Sequence, residues 1–127
     1  MRILFLGDVV GISGCSKILN NLKTEIKKKN INFVLVNGEN SAEPGVGLTK
    51  EICNDFFNCG VNVITTGNHV WDQKEIMSFI EIENRLLRPH NLFEPSPGKG
   101  FEIYEISNNL KIGVLNLMGN VFMKKCE

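Results

Sequence analysis

Short apolar runs alternate with amphipathic stretches along the first two-thirds of the chain. Arg2 to Gly7 is an apolar run of strand length. A Gly-rich turn through Gly11 and Gly14 is expected next, followed by a helix from Cys15 to Lys29. Its apolar positions Ile18, Leu19, Leu22 and Ile26 recur at helical spacing, and Lys27, Lys28 and Lys29 fall in the last turn, where positive charge suits the helix dipole. Those lysines are best taken as a solvated helix end. Ile31 to Val36 is the second strand, and the unbroken run Phe33-Val34-Leu35-Val36 fits a strand buried on both faces. A polar, Gly-rich loop runs from Asn37 to Gly47. Thr49 then caps a helix carrying Ile52, Phe56 and Phe57, which Gly60 closes. Val61 to Thr65 is a third strand. Past Gly67-Asn68-His69, Asp72 and Glu75 have capping-box spacing for a helix through Phe79 and Ile80.

Beyond Arg88-Pro89 the pattern changes. Phe101 to Ile106 alternates apolar and polar residues, Asn108-Asn109 marks a turn, and Lys111 to Leu117 returns as a strand. The fold class is therefore α/β: a mixed, mostly parallel sheet with flanking helices, antiparallel in its later part. Such a sheet needs cover on both faces. An alternation that stops after a hairpin, without a covering helix, is expected to belong to a truncated domain spanning 1–127.

Composition narrows the function without naming it. The chain has 127 residues, enough for one domain, and is 43% hydrophobic and 22% charged. Fourteen basic residues balance fourteen acidic ones, which argues against a large nucleic-acid or membrane-binding surface. A small phosphorylated substrate stays compatible, because a bound metal supplies positive charge locally. No apolar run approaches the roughly 20 residues of a membrane helix, and the amino terminus lacks a signal-peptide pattern, so a cytoplasmic protein is expected. The four cysteines, Cys15, Cys53, Cys59 and Cys126, have neither zinc-knuckle spacing nor disulfide-scaffold density and are expected as free thiols.

Chemistry gathers after the strands. Asp8 follows the first, Glu39 and Asn40 the second, Asn68 and His69 the third. In a parallel sheet these positions share the carboxyl edge, where α/β proteins place their sites. Each residue alone has a plain structural use: Asp8 as a turn residue, Glu39 as a solvated charge, Asn40 and Asn68 as turn formers, His69 as a hydrogen-bonding histidine. Their joint occurrence after three successive strands points to a site. Two carboxylates, two carboxamides and an imidazole suit Mn or Fe better than a thiolate-seeking metal. Glu39 could bridge two ions about 3.5–4 Å apart.

The motifs Gly7-Asp8, Gly38-Glu39-Asn40 and Gly67-Asn68-His69 resemble those of the calcineurin-like metallophosphoesterases. Val10 stands where most of that superfamily has a histidine, and Glu39-Asn40 replaces the usual Asp. With Asn40-Ser41-Ala42, Gly45-Val46-Gly47-Leu48-Thr49, Thr65-Thr66-Gly67-Asn68-His69-Val70-Trp71-Asp72, Leu87-Arg88-Pro89-His90-Asn91 and Asn116-Leu117-Met118-Gly119-Asn120, the chain is similar to the bacterial 2′,3′-cyclic-nucleotide 2′-phosphodiesterase family, over its amino-terminal half. The resemblance implies a metallophosphoesterase sandwich and a dimetal phosphodiesterase that hydrolyses small phosphoesters such as 2′,3′-cyclic nucleotides by metal-activated hydroxide. It implies two divalent or trivalent transition ions, Fe or Mn, with Asp8 and Asn40 on the first, Glu39 bridging, Asn68 on the second, and His69 as the general acid. Three further histidine ligands of the family would lie in a carboxyl-terminal half. His90 is taken as a loop residue, the chain alone as weakly active or inactive, and homo-oligomerisation stays open.

Three alternatives compete with this reading. Gly7, Gly11 and Gly14 lack the dinucleotide-binding spacing, and Asp8 would set negative charge beside a pyrophosphate. A haloacid-dehalogenase-like phosphatase would need a second Asp near Asp8, where Val9 and Val10 stand. A non-catalytic remnant that binds a nucleotide or partner through the same sheet edge is separated from the esterase by metal content.

Overall fold

The computed structural model describes residues 1–107, 109–123 and 126. In chain order the elements are β1 (Ile3–Leu6), α1 (Gly11–Lys29), β2 (Phe33–Asn37), α2 (Lys50–Cys59), β3 (Val63–Thr65), α3 (Ile76–Ile80), β4 (Leu86–Leu87), β5 (Phe101–Ser107) and β6 (Leu110–Leu115). The first four strands form one sheet in the order β1-β2-β3-β4, parallel throughout, and β5 and β6 form a separate antiparallel pair. The α/β class with a mostly parallel sheet and flanking helices therefore stands. No described helix is long and apolar enough to cross a membrane.

The uniform apolar run of β2 has a simple cause. Val34 and Val36 face α1 and α2 and join Leu22, Cys53, Phe56, Ile64 and Leu86 in the larger core cluster. Phe33 and Leu35 face the other way, into a smaller cluster with Val63, Leu87, Val114, Tyr104, Ile106 and Ile112. The β5–β6 hairpin thus provides the second cover that a parallel sheet demands, in place of a covering helix. That cover stops short of β1. Leu4 and Leu6 pack on the helical side, whereas Ile3 and Phe5 on the opposite face are 44% and 62% exposed.

Several local expectations need correction. The first helix begins at Gly11, not Cys15: Gly11 takes a positive φ of 58°, and Gly14 lies inside the helix rather than in a turn. Leu19 sits off the buried stripe of Cys15, Ile18, Leu22 and Ile26. The Asp72–Glu75 capping box does not form. α3 has only five residues, its N-cap is Glu75, and no side chain caps it. Glu75 instead accepts the backbone N–H of Lys50 at 2.8 Å, one of the orphan donors in the first turn of α2, and Asp72 is engaged by His69. By contrast, Thr49 caps α2 through the N–H of Ile52 at 3.2 Å, and Gly60 ends it in a left-handed conformation.

The strand β4 went unforeseen; two residues carry no periodicity. The turn expected at Asn108-Asn109 rests partly on residue 108, which lies outside the described residues. All four cysteines are unpaired and buried, as expected of free thiols, and burial pushes the Cys15, Cys53 and Cys59 thiols up.

Candidate functional site

The three βα turns are stitched together by backbone before any side chain is considered. Just past β1, the Val9 N–H donates to the Asn37 carbonyl at 3.2 Å and the Gly11 N–H to the Asn40 carbonyl at 2.8 Å, while Val10 and Asn40 form a parallel bridge. The Gly38 N–H donates to the Thr65 carbonyl at 3.0 Å, tying the second turn to the end of β3. Ser41 is fully buried and donates to the Val9 carbonyl at 3.4 Å. Backbone polar groups that would otherwise be orphaned at the strand ends are satisfied by neighbouring turns, and the turns are held side by side as a result.

On this frame the side chains meet in two contacts. The Asn40 amide donates to Asp8 Oδ2 at 2.8 Å, joining the first turn to the second. The backbone N–H of His69 donates to Glu39 Oε2 at 3.2 Å, joining the third. Glu39 Oε1 also lies 3.5 Å from the Asn37 amide nitrogen, at the limit of a hydrogen bond. Gly67 explains how the carboxylate fits: a Cβ built there would fall on the Glu39 carboxylate group, so only glycine leaves room for it. Asn68 sits exposed on the same turn, and its side chain has no hydrogen bond to another described residue. The structure thus pairs Asp8 with Asn40 and Glu39 with the His69 backbone, and Asn68 is adjacent in sequence without joining either contact.

His69 is held at both ends. Its ring Nδ1 lies 2.7 Å from Asp72 Oδ2, which leaves Nε2 as the ring nitrogen open to a reacting group. Among the described residues, no three His, Cys, Asp or Glu side chains converge into a group able to hold a cation. Each carboxylate instead meets an amide, Asp8 that of Asn40 and Glu39 that of Asn37. His90 is exposed on a loop, its backbone N–H donating to the Asn116 carbonyl at 2.8 Å, away from these contacts.

Sequence reasoning missed two residues. Asn37 ends β2 beside Glu39, and its Oδ1 is buried without a hydrogen-bond partner, an orphaned acceptor at the rim. Its place next to the Gly38-Glu39-Asn40 motif was a usable signal. Asp72 looked like a helix cap; its spacing of three residues from His69 was the signal for a pair closed across one turn.

Comparison with known proteins adds the following. A family model described as YmdB-like protein matches residues 4–127. Over 126 residues the chain is 44% identical to the 2′,3′-cyclic-nucleotide 2′-phosphodiesterase of Bacillus subtilis strain 168, covering 97% of this chain and 46% of that protein. A hypothetical protein of Thermus thermophilus, known from its crystal structure, superimposes with a TM-score of 0.90 at 32% identity, covering 100% of this chain and 48% of the other. A novel phosphatase of Mycoplasma pneumoniae superimposes with a TM-score of 0.84 at 36% identity, covering 94% of this chain and 43% of the other. The chain therefore spans less than half the length of the curated relatives it matches.

Proposed function

The chain belongs to the YmdB-like protein family, and from that premise we propose that it carries the amino-terminal part of a metal-dependent phosphodiesterase acting on small phosphoesters, 2′,3′-cyclic nucleotides foremost. One observation carries the reading. Asp8, Asn40, Glu39 and the His69 backbone, from three different βα turns, are linked by two hydrogen bonds along one rim of a parallel sheet. The B. subtilis relative is named for hydrolysis of a 2′,3′-cyclic nucleotide.

The residues fit cations at this rim in part. Asp8, Glu39, Asn40 and Asn68 offer hard oxygen donors, of the kind Mn and Fe accept. Two further features support the fit: the pocket that Gly67 leaves for the Glu39 carboxylate, and the buried, unpartnered Asn37 oxygen beside it. Glu39, whose carboxylate lies between the turns after β2 and β3, would be among the residues to hold the ions. Bound there, a pair of divalent or trivalent ions would supply positive charge for the phosphoryl oxygens and acidify a water.

The protein's own share is positioning and proton transfer. Asp8 and Asn40 hold one side of the rim, Glu39 anchors the turn bearing His69, and His69 presents Nε2 to the departing ribose oxygen. As the P–O2′ bond of the cyclic ester breaks, that oxygen takes the His69 proton, water supplies the new P–O bond, and the proton the water gives up returns to His69 through solvent. The cysteines, buried and unpaired, agree with a reducing, cytoplasmic setting.

The chain holds only two histidines, so an oxygen-only set is expected to bind Mn weakly and to leave the 127-residue polypeptide slow. Metal content and Mn-supported turnover of bis-p-nitrophenyl phosphate test this, with E39Q as the site variant. Mn uptake that E39Q abolishes supports the site, and uptake unchanged in E39Q overturns it. Turnover matching that of the intact B. subtilis enzyme would overturn the expected weakness. One observation favours a second reading, a non-catalytic nucleotide- or partner-binding module: no ready-made cluster of three ligating His, Cys, Asp or Glu side chains exists among the described residues. Nucleotide binding without metal uptake would select it.

A further inference from the structure

The hairpin covers the sheet through apolar side chains, Val114, Ile112 and Tyr104 against Phe33, Val63 and Leu87. Such contacts bury a face, but they are non-directional and set its register only loosely. A directional contact stands where β6 has just ended. Asn116 donates both hydrogens of its side-chain amide, to the Thr66 carbonyl at 2.8 Å and to the Leu87 carbonyl at 3.1 Å. Those carbonyls lie at the carboxyl ends of β3 and β4. The Asn116 backbone is itself held from two sides, its N–H donating to the Gly100 carbonyl at 2.9 Å and its carbonyl accepting from the His90 N–H at 2.8 Å. The amide is therefore presented to the strand ends at a fixed place.

The two acceptors are not alike. The Leu87 carbonyl also receives the Thr66 N–H at 3.0 Å and the Thr66 hydroxyl at 2.9 Å. The Thr66 carbonyl, on a residue 3% exposed, has the Asn116 amide as its one donor among the described residues. That carbonyl belongs to the planar peptide leading into Gly67, so fixing its oxygen fixes the direction in which the chain enters Gly67-Asn68-His69. Gly67 is where the Glu39 carboxylate packs too closely for any side chain, and the His69 N–H holds the same carboxylate at 3.2 Å. A tilt of this one peptide would disturb both contacts. We propose that Asn116 is a positioning residue of the candidate site: reaching across from the hairpin, its amide orients the Thr66–Gly67 peptide and so sets the seat of Glu39. The inference rests on the reading of Glu39 and the turn after β3 as functional, and it adds a residue from a layer that supplies none of the candidate ligands. An apolar or anionic side chain at position 116 would leave a buried carbonyl oxygen without a donor, and the peptide would turn toward other partners.

The test reads hydrogen exchange by NMR on the full 127-residue chain. In the wild type, the Asn116 side-chain amide hydrogens are expected to exchange far more slowly than those of exposed Asn58. The isosteric N116D and the truncating N116A should each speed exchange of the His69 and Val70 amides by roughly ten-fold or more and shift the Gly67 amide resonance. Exchange at Val36, in the core of β2, should follow only the global stability. N116Q, which keeps both donors but displaces them by one methylene, should give an intermediate effect, and it decides together with N116D should N116A lose the dispersed methyl signals of a folded core. V114A is the control, since it weakens the apolar cover of the same hairpin and leaves both amide bonds in place. Equal acceleration at His69 in V114A and N116D would assign the effect to loosened cover and overturn the proposal. So would unchanged exchange at His69 and Val70 in N116D, or wild-type Asn116 hydrogens as labile as those of Asn58. With Mn alone as the probe, uptake should be weaker in N116D than in V114A. Absence of Mn uptake by the wild type would sink the metal reading while the exchange comparison still decides on Asn116, and an unaltered turn in N116D would remove Asn116 with the metal reading intact.

Discussion

The two faces of the four-stranded sheet are made by the same strands and end up very differently buried. On the helical side, Val34, Val36, Ile64 and Leu86 meet Leu22, Cys53 and Phe56, and Phe56 is fully buried. On the other side the hairpin covers β2, β3 and β4 through Phe33, Val63, Leu87 and Val114, while Ile3 and Phe5 of β1 stay open to solvent. The helices arrive with the chain's own crossovers, so the face they cover closes as the parallel sheet is built. The hairpin is a later addition and reaches only as far as its width. Asn37, by its place in β2, faces the partly open side, and Asp8 and Glu39 lie just beyond the strand ends. The turns that carry them are tied to one another by backbone hydrogen bonds at the strand ends.

That contrast can be broken at its strongest point. Phe56→Ala removes a fully buried ring from the helical side, and a loss of about 3–5 kcal/mol is expected in denaturant unfolding, a large part of a small domain's stability. A loss below about 1 kcal/mol would mean that this face is not the principal core.

A smaller effect lies where the two covers meet. The Arg85 guanidinium stacks 3.8 Å from the ring centre of Phe57 on α2 and pairs with Glu83 at 2.7 Å, and beside them the Tyr104 hydroxyl donates to the Asn84 carbonyl at 2.7 Å. The hydrogen bond from Arg85 holds the Glu83 carboxyl below the usual carboxylate range. A depressed folded-state value means the contribution is fully present above the unfolded value, roughly 4.3, and is lost as pH falls through the folded one. The pair is partly solvated, so the stability gap between wild type and E83Q is expected to stay under about 1 kcal/mol at neutral pH and to close on acidification. A gap independent of pH would assign it to packing.

The smallest effect sharpens the comparison from the bare side. Phe5→Ser should change stability by no more than about 0.5 kcal/mol, while lowering the binding of an apolar dye to the folded chain. A loss beyond about 1.5 kcal/mol would show that β1 is covered after all.

How much was legible follows the range of the forces involved. The three strands, the first two helices and the Thr49 and Gly60 boundaries were readable because side-chain periodicity and caps are local. So was the position of Asp8, Glu39, Asn40, Asn68 and His69 just past the strand ends, since a parallel sheet sends every strand's end to one edge. Asp72 and Glu75 were misassigned because their partners, the His69 ring and the Lys50 N–H, compete with a helix terminus in a way that local spacing does not reveal. The segment after β4 was opaque for the same reason. Buried Arg88 donates to the carbonyls of Pro89, His90, Ser96 and Pro97 and to Glu94, so an irregular loop is ordered around one charge rather than by any repeat.

The amino-acid sequence by itself determined the α/β alternation and which residues would end the strands, because backbone geometry converts periodicity into elements and elements into an edge. Only the tertiary structure decided that Glu39 would rest against Gly67, that Asp72 would serve His69 rather than a helix, and that β1 would keep one face bare. Those outcomes depend on which of several satisfied partners a polar or apolar group finds once the chain is compact, and that competition is settled by distance in space.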